Sequence, residues 1–164
     1  MCDHRMVIRD IVCRWFGSAH DARIFDNSSL KHRMEENQLD GLLLGDQGYP
    51  QKTYMMTPLT NPESPAEIRY NRAHKKTRIL IERLFGVWKR RFPSLHYGLR
   101  FSPASASAVI IAAAVLRNVA TGAGEIDFDV GLDQEDDDDQ AARPPSGGPA
   151  GIAARNALIV NHFS

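Results

Sequence analysis

The chain has 164 residues, enough for one domain with a sizeable core. Twenty Lys and Arg balance 20 Asp and Glu, but residues 125–164 hold nine acids and two bases, a net of −7, against a net of +7 over the other 124 residues. The two cysteines, Cys2 and Cys13, have no CxxC or Cys/His spacing, which excludes a disulfide framework and a cysteine-type metal site and fits a reducing compartment.

A basic folded part with an acidic, Pro/Gly-rich tail suits a polyanion-binding domain over residues 1–124 and a disordered tail over 125–164. The most apolar run, Ala108 to Leu116, is shorter than the ~20 residues a membrane span needs. The segment MCDHRMVIRD lacks the apolar stretch of a secretory signal. These features predict a soluble intracellular chain with no membrane partner.

Met6 to Trp15, rich in Val, Ile and Trp, predicts a strand, broken at Phe16-Gly17-Ser18. A helix then opens at Ser18 or His20 with Asp21 in its first turn, and Asn27-Ser28-Ser29 splits it in two, the second part running to about Asn37. Gly41 to Gly45 is a short apolar run bounded by glycines, as in a buried parallel strand. Pro50 to Pro65 carries four prolines and reads as loop. From Ala66 to about Phe92 the residues Tyr70, Ala73, Thr77, Leu80, Leu84 and Trp88, widened by Ile81 and Phe85, repeat at helical spacing until Pro93. Ser102-Pro103 opens a further helix to about Ala120, apolar nearly all round and so expected to be buried under the sheet. Strand, helix, strand and long helices indicate an α/β layer fold.

Three carboxylates occupy positions where sites are built. Asp21 follows GSAH, Asp46 ends the buried strand in LLLGDQGYP, and Glu82 lies mid-helix. Carboxyl ends of strands are the usual ligand positions in open α/β sheets. Converging carboxylates need a hard cation, and Mg²⁺ with phosphate oxygens is the natural choice. At ~100° per residue, Lys75, Arg78, Glu82 and Lys89 share one helix face. Two readings of that face stand: a solvated surface with Arg78–Glu82 pairing, or a metal-ligating Glu82 flanked by phosphate-binding cations. His20 is a helix cap, a core histidine or a partner to a metal ligand.

GSAHDARIF (17–25), LLLGDQGYP (42–50), TPLTNP (57–62), RYNRAHKKTRILIERLFGVWKRRFPSL (69–95) and LRNVA (116–120), in this order, resemble the PIF/Harbinger transposases and the nucleases derived from them. The resemblance covers residues 1–120, with none of it found in the tail after Gly124. It implies a ribonuclease-H-like DDE endonuclease domain, Mg²⁺ or Mn²⁺ dependence, DNA as substrate, a Myb-like protein partner and a nuclear location, with the cytoplasm as a second one. By motif, Asp46 is the second catalytic aspartate, Glu82 the closing glutamate and Asp21 a further metal-site carboxylate. Lys75, Arg78 and Lys89 become nucleic-acid contacts. The family's first aspartate lies in a D-G-T-H-type motif, which this sequence does not contain. The fold is therefore expected to be incomplete, lacking the first strand and most of the second, and the chain's own hydrolysis to be impaired. The alternatives are a non-catalytic DNA- or protein-binding remnant that uses the basic helix 69–92, and a scaffold whose carboxylates are ordinary surface charges.

Overall fold

The computed structural model describes residues 1–15, 19–124 and 147–164. It is α/β with helix dominant: α1 (Asp21–Asp26), α2 (Ser29–Glu35), β1 (Leu43–Leu44), β2 (Met55–Met56), α3 (Pro65–Arg91), α4 (Ser94–Tyr97), α5 (Pro103–Gly122) and α6 (Pro149–Phe163). The chain divides into two compact units, Met1–Gly17 with Ile79–Asp136, and Ser18–Arg78 with Asp137–Ser164. The break expected at 16–18 lies outside the described residues.

In the unit built on Ser18–Arg78, the split between α1 and α2 falls where Ser28 sits. Its hydroxyl donates to the Phe25 carbonyl at 2.7 Å and accepts from the Lys31 N–H at 3.1 Å, so one side chain ends α1 and caps α2. β1 and β2 pair in parallel, Leu43 with Met55 and Leu44 with Met56. The segment read as loop thus contains a strand, and its two methionines are more deeply buried than the leucines opposite. The leucine run is not buried on both faces as expected: Leu42 and Leu44 are exposed and Leu43 is half-buried. Phe25, Leu30, Met34 and Met55 form the core, with Leu39, Leu43, Tyr49 and Tyr54 packed around it.

The tail also departs from expectation. Residues 125–146 lie outside the described residues, but Pro149–Phe163 is a helix rather than disordered chain. It docks by close backbone approach. A Cβ on Gly151 would lie 2.5 Å from the Gln51 carbonyl oxygen, so only glycine fits. The buried Gln51 amide donates to the Gly151 carbonyl at 3.1 Å, while its oxygen accepts from the Thr57 N–H and hydroxyl at 2.9 and 3.0 Å. Arg155, also buried, donates to the Thr57 carbonyl at 3.3 Å, and the Phe163 ring stands edge-on to Tyr70 at 5.7 Å.

α3 starts at Pro65, one residue before the expected Ala66, on a capping box that the sequence analysis did not single out. The Glu67 N–H donates to the Ser64 hydroxyl at 3.2 Å, and the Glu67 carboxylate accepts from the Ser64 and Glu63 N–H groups at 2.9 and 2.8 Å. Pro65 takes the first helical position, where its missing N–H costs nothing. The expected stripe is borne out at Tyr70, Leu84 and Trp88, which are buried. Thr77 and Phe85 are exposed, and the buried positions it missed are His74 and Val87.

In the other unit, residues 6–15 form no strand. Met6 has φ of 56°, and the Asp3 carboxylate gathers the Arg5 and Val7 N–H groups and the Arg9 side chain into a tight turn. Beyond it, Ile8 exchanges two hydrogen bonds with the Asn118 side chain at 2.9 and 2.8 Å, and the Ser107 hydroxyl donates to the Cys13 carbonyl at 2.9 Å. Among the described residues, 7–10 pair only with Met1–Asp3, through an isolated antiparallel bridge between Cys2 and Ile8, and side chains of α5 receive the segment on its other side. Its Val/Ile-rich composition serves a helix contact: Ile8 and Ile11 pack with Trp88, Ala113 and Ala114.

α5 is not buried nearly all round. Ala113, Ala114 and Arg117 are its buried residues, while Ile111, Val115, Leu116 and Val119 are exposed. By length and composition alone this 20-residue helix could cross a membrane, which the shorter run considered in the sequence could not. Its Arg117 is only 1% exposed and donates to the Thr121 hydroxyl.

Candidate active site

The chain after β1 is shaped by two glycines. Gly45 is buried under the Tyr49 ring: a Cβ there would lie 2.9 Å from Tyr49 Cδ2 and 3.0 Å from Met55 Sδ. The Asp46 carboxylate closes the turn, its Oδ1 accepting from the Gly48 N–H at 2.8 Å while its backbone carbonyl accepts from the Tyr49 N–H at 3.2 Å. Asp46 Oδ2 points elsewhere and lies 3.8 Å from Arg78 Nη2, beyond hydrogen-bond reach.

Tyr49 ties this turn to α1. Its ring stands edge-on to Phe25 at 5.8 Å, one turn of helix beyond Asp21. The phenol is pushed up to about 12 by burial and then by the charges of Asp21 and Asp46, with Arg78 opposing. It therefore stays neutral at ordinary pH beside two carboxylates. His74, buried on α3, brings its Nε2 within 3.2 Å of the Met56 carbonyl, and burial holds its imidazole below the ordinary value.

Asp21, Asp46 and Arg78 are thus near enough to Tyr49 to act on it by charge. Arg78, expected among the phosphate contacts, is half-buried and directed at Asp46, whereas Lys75 and Lys89 are exposed. Glu82 is exposed on α3 and belongs to the unit containing Ile79–Asp136. Among the described residues, no three His, Cys, Asp or Glu side chains come together to hold a metal. An open depression of about 690 Å³ lies at Glu35, Lys52, Tyr54 and Gly151, and none of these carboxylates lines it. Sequence reasoning gave no role to Tyr49 or His74. The signal for His74 was its spacing of four from Tyr70, which puts both on the buried side of α3.

A protein-family model described as DDE superfamily endonuclease matches residues 1–118. The chain belongs to this family. It is 38% identical over 123 residues to the Homo sapiens protein named "Putative nuclease HARBI1", covering 73% of this chain and 35% of that protein. The Rattus norvegicus protein of the same name is 33% identical over 178 residues, covering 100% of this chain and 49% of that one. This DDE family member therefore spans about half the length of its curated relatives. The alignment to the rat protein runs through the tail, which corrects the reading that the likeness stops at Gly124, and α6 falls within it. No solved structure matches the chain.

Proposed function

We propose that the chain is part of a divalent-metal-dependent DNA endonuclease of the Harbinger transposase-derived type, with a ribonuclease-H-like architecture and a nuclear location. The observation that carries this reading is Asp46, a carboxylate fixed at the end of a parallel strand with one oxygen spent on its own turn and the other 3.8 Å from Arg78 Nη2. The donor set suits a hard cation, because Asp21 and Asp46 offer carboxylate oxygens and Asp46 Oδ2 is not consumed by a hydrogen bond to Arg78. In this reading Asp46 and Asp21 would hold Mg²⁺ or Mn²⁺, with Glu82 assigned to the metal by the family's motif alone, and the ion would supply Lewis-acid activation of water and charge offset on the phosphodiester.

The chain's own residues do the rest. The Gly48 N–H holds the Asp46 carboxylate in one orientation before substrate arrives. Arg78 offsets the negative charge of the pair, and the neutral Tyr49 adds none. Exposed Lys75 and Lys89 hold DNA through its phosphates, with Arg78 nearest the carboxylates. Sequence recognition is left to a partner, for which a Myb-like DNA-binding protein is the proposal. No D-G-T-H-type motif occurs in the 164 residues, and in this reading these residues by themselves bind metal and DNA but cleave weakly.

The test is nicking of supercoiled DNA in Mg²⁺ or Mn²⁺. Joined to an upstream strand bearing a D-G-T-H-type motif, the chain is expected to nick, and Asp46→Asn or Glu82→Gln to reduce this to background. Equal nicking by those variants and their parent would sink the site assignment. A second reading, DNA binding without cleavage, is favoured by the exposed Lys75, Lys76, Lys89 and Arg90 of α3. It predicts duplex binding that weakens steeply between about 50 and 200 mM salt, with no nicking in any form. Absence of binding at low salt would leave a protein-interaction scaffold.

A further inference from the structure

One oxygen at the end of β2 joins three elements. The Met56 carbonyl accepts the Gly45 N–H of the β1 end at 3.0 Å and lies 3.2 Å from His74 Nε2 on α3. A carbonyl can only accept, so Nε2 carries the hydrogen and donates. Gly45 is the residue immediately before Asp46. Arg78, one helical turn beyond His74, faces Asp46 Oδ2 at 3.8 Å. The helix thus addresses Asp46 twice, through the strand backbone by His74 and through charge by Arg78.

We propose that His74 is a positioning residue for Asp46, locking α3 to the strand ends so that Arg78 stays close enough to offset the carboxylate's charge but too far to bond it. This rests on the reading of Asp46 as a metal ligand. The separation of 3.8 Å is what keeps Oδ2 available. A slide of α3 by about 1 Å would bring the guanidinium to hydrogen-bonding distance, where it competes with a cation for the same oxygen. His74 is 4% exposed, with Tyr70 tilted against it at 6.0 Å, and Arg78 and Asp46 are the charged groups that act on it. Burial favours the neutral ring, which has one N–H to give.

The experiment compares His74→Gln, which keeps an N–H at a similar reach, with His74→Leu, which does not. Two readouts are taken on the whole chain: Mn²⁺ affinity, and the amide resonance of Gly48, which reports the Asp46 carboxylate with no metal present. Loss of a group that orients a metal ligand typically costs 10–100-fold in affinity. His74→Leu is expected to weaken Mn²⁺ binding at least about tenfold and to move the Gly48 resonance, and His74→Gln to restore both to within about twofold. If His74→Leu does not fold, His74→Asn, too short to reach the carbonyl, replaces it with the same expectation. Wild-type affinity and an unmoved Gly48 resonance in the variants without a reaching donor would overturn the role of His74. So would failure of His74→Gln to restore them. An Asp46→Asn chain that binds Mn²⁺ as well as wild type would instead overturn the metal-ligand reading, while the Gly48 resonance would still decide the positioning role.

Discussion

Gly45 and Gly48 flank the same aspartate but would respond to a methyl group in different ways. At Gly45 the new carbon would meet the Tyr49 ring at 2.9 Å and the Met55 sulfur at 3.0 Å, both packed in the core cluster, so that cluster would have to shift. At Gly48 it would meet only Asp46 Oδ1, the far end of a side chain that can swing. Gly45→Ala is therefore expected to destabilise the fold by about 1–3 kcal/mol, the usual cost of overpacking. Gly48→Ala should leave the melting temperature nearly unchanged and weaken Mn²⁺ binding by displacing the carboxylate. Thermal unfolding and Mn²⁺ titration of both variants check the contrast. Asp46 was legible in the sequence because a strand, two glycines and a carboxylate make a local pattern. The contacts of Tyr49 with Phe25 and of His74 with the Met56 carbonyl were not legible, since they join residues 18 or more apart in the chain.

Among the elements, helices were read better than strands. Their signals are local: Ser28 and Ser102 each cap a helix start from within a few residues. β2 and the segment 6–15 depended on distant partners, a short parallel neighbour in one case and the side chains of α5 in the other. α6 was missed because composition was averaged over a tail whose acids precede it. Its docking rests on Gly151 and Arg155, and Gly151→Val should force the Gln51 backbone and the helix apart. The expected result is a loss of about 1–3 kcal/mol together with rapid amide exchange across residues 152–162 while α2 stays protected. Protection of α6 equal to wild type would show that the close approach is not what holds it.

For the molecule as a whole, three of the four tyrosines, Tyr49, Tyr54 and Tyr70, are pushed up to about 12, in each case first by burial. All three lie in the unit containing Ser18–Arg78. In the unfolded chain a phenol ionises near 10. Between pH 10 and 12 the unfolded state releases protons that the folded state keeps, so the stabilisation is full below pH 10 and is lost as pH rises toward 12. Melting temperatures followed by tyrosine absorbance should fall over that window. Replacing Tyr49 and Tyr70 by Phe should flatten the fall, and an unchanged slope would mean that these rings are solvated. The whole-chain charge balance, by contrast, concealed a division that the sequence did show: a basic stretch of 124 residues ahead of an acidic one.

The stitching of residues 8–13 to α5 acts as a gauge of length. Five steps separate Ile8 from Cys13, and 11 separate Ser107 from Asn118. At ~3.3 Å per extended residue and ~1.5 Å per helical one, both intervals come to roughly 16.5 Å. The two scales agree only while the count on each side is kept. One inserted residue between Ile8 and Cys13 would put a graduation out of step by a whole extended rise, more than either pair of bonds can stretch, so this stretch should tolerate substitution far better than any change in its number of residues.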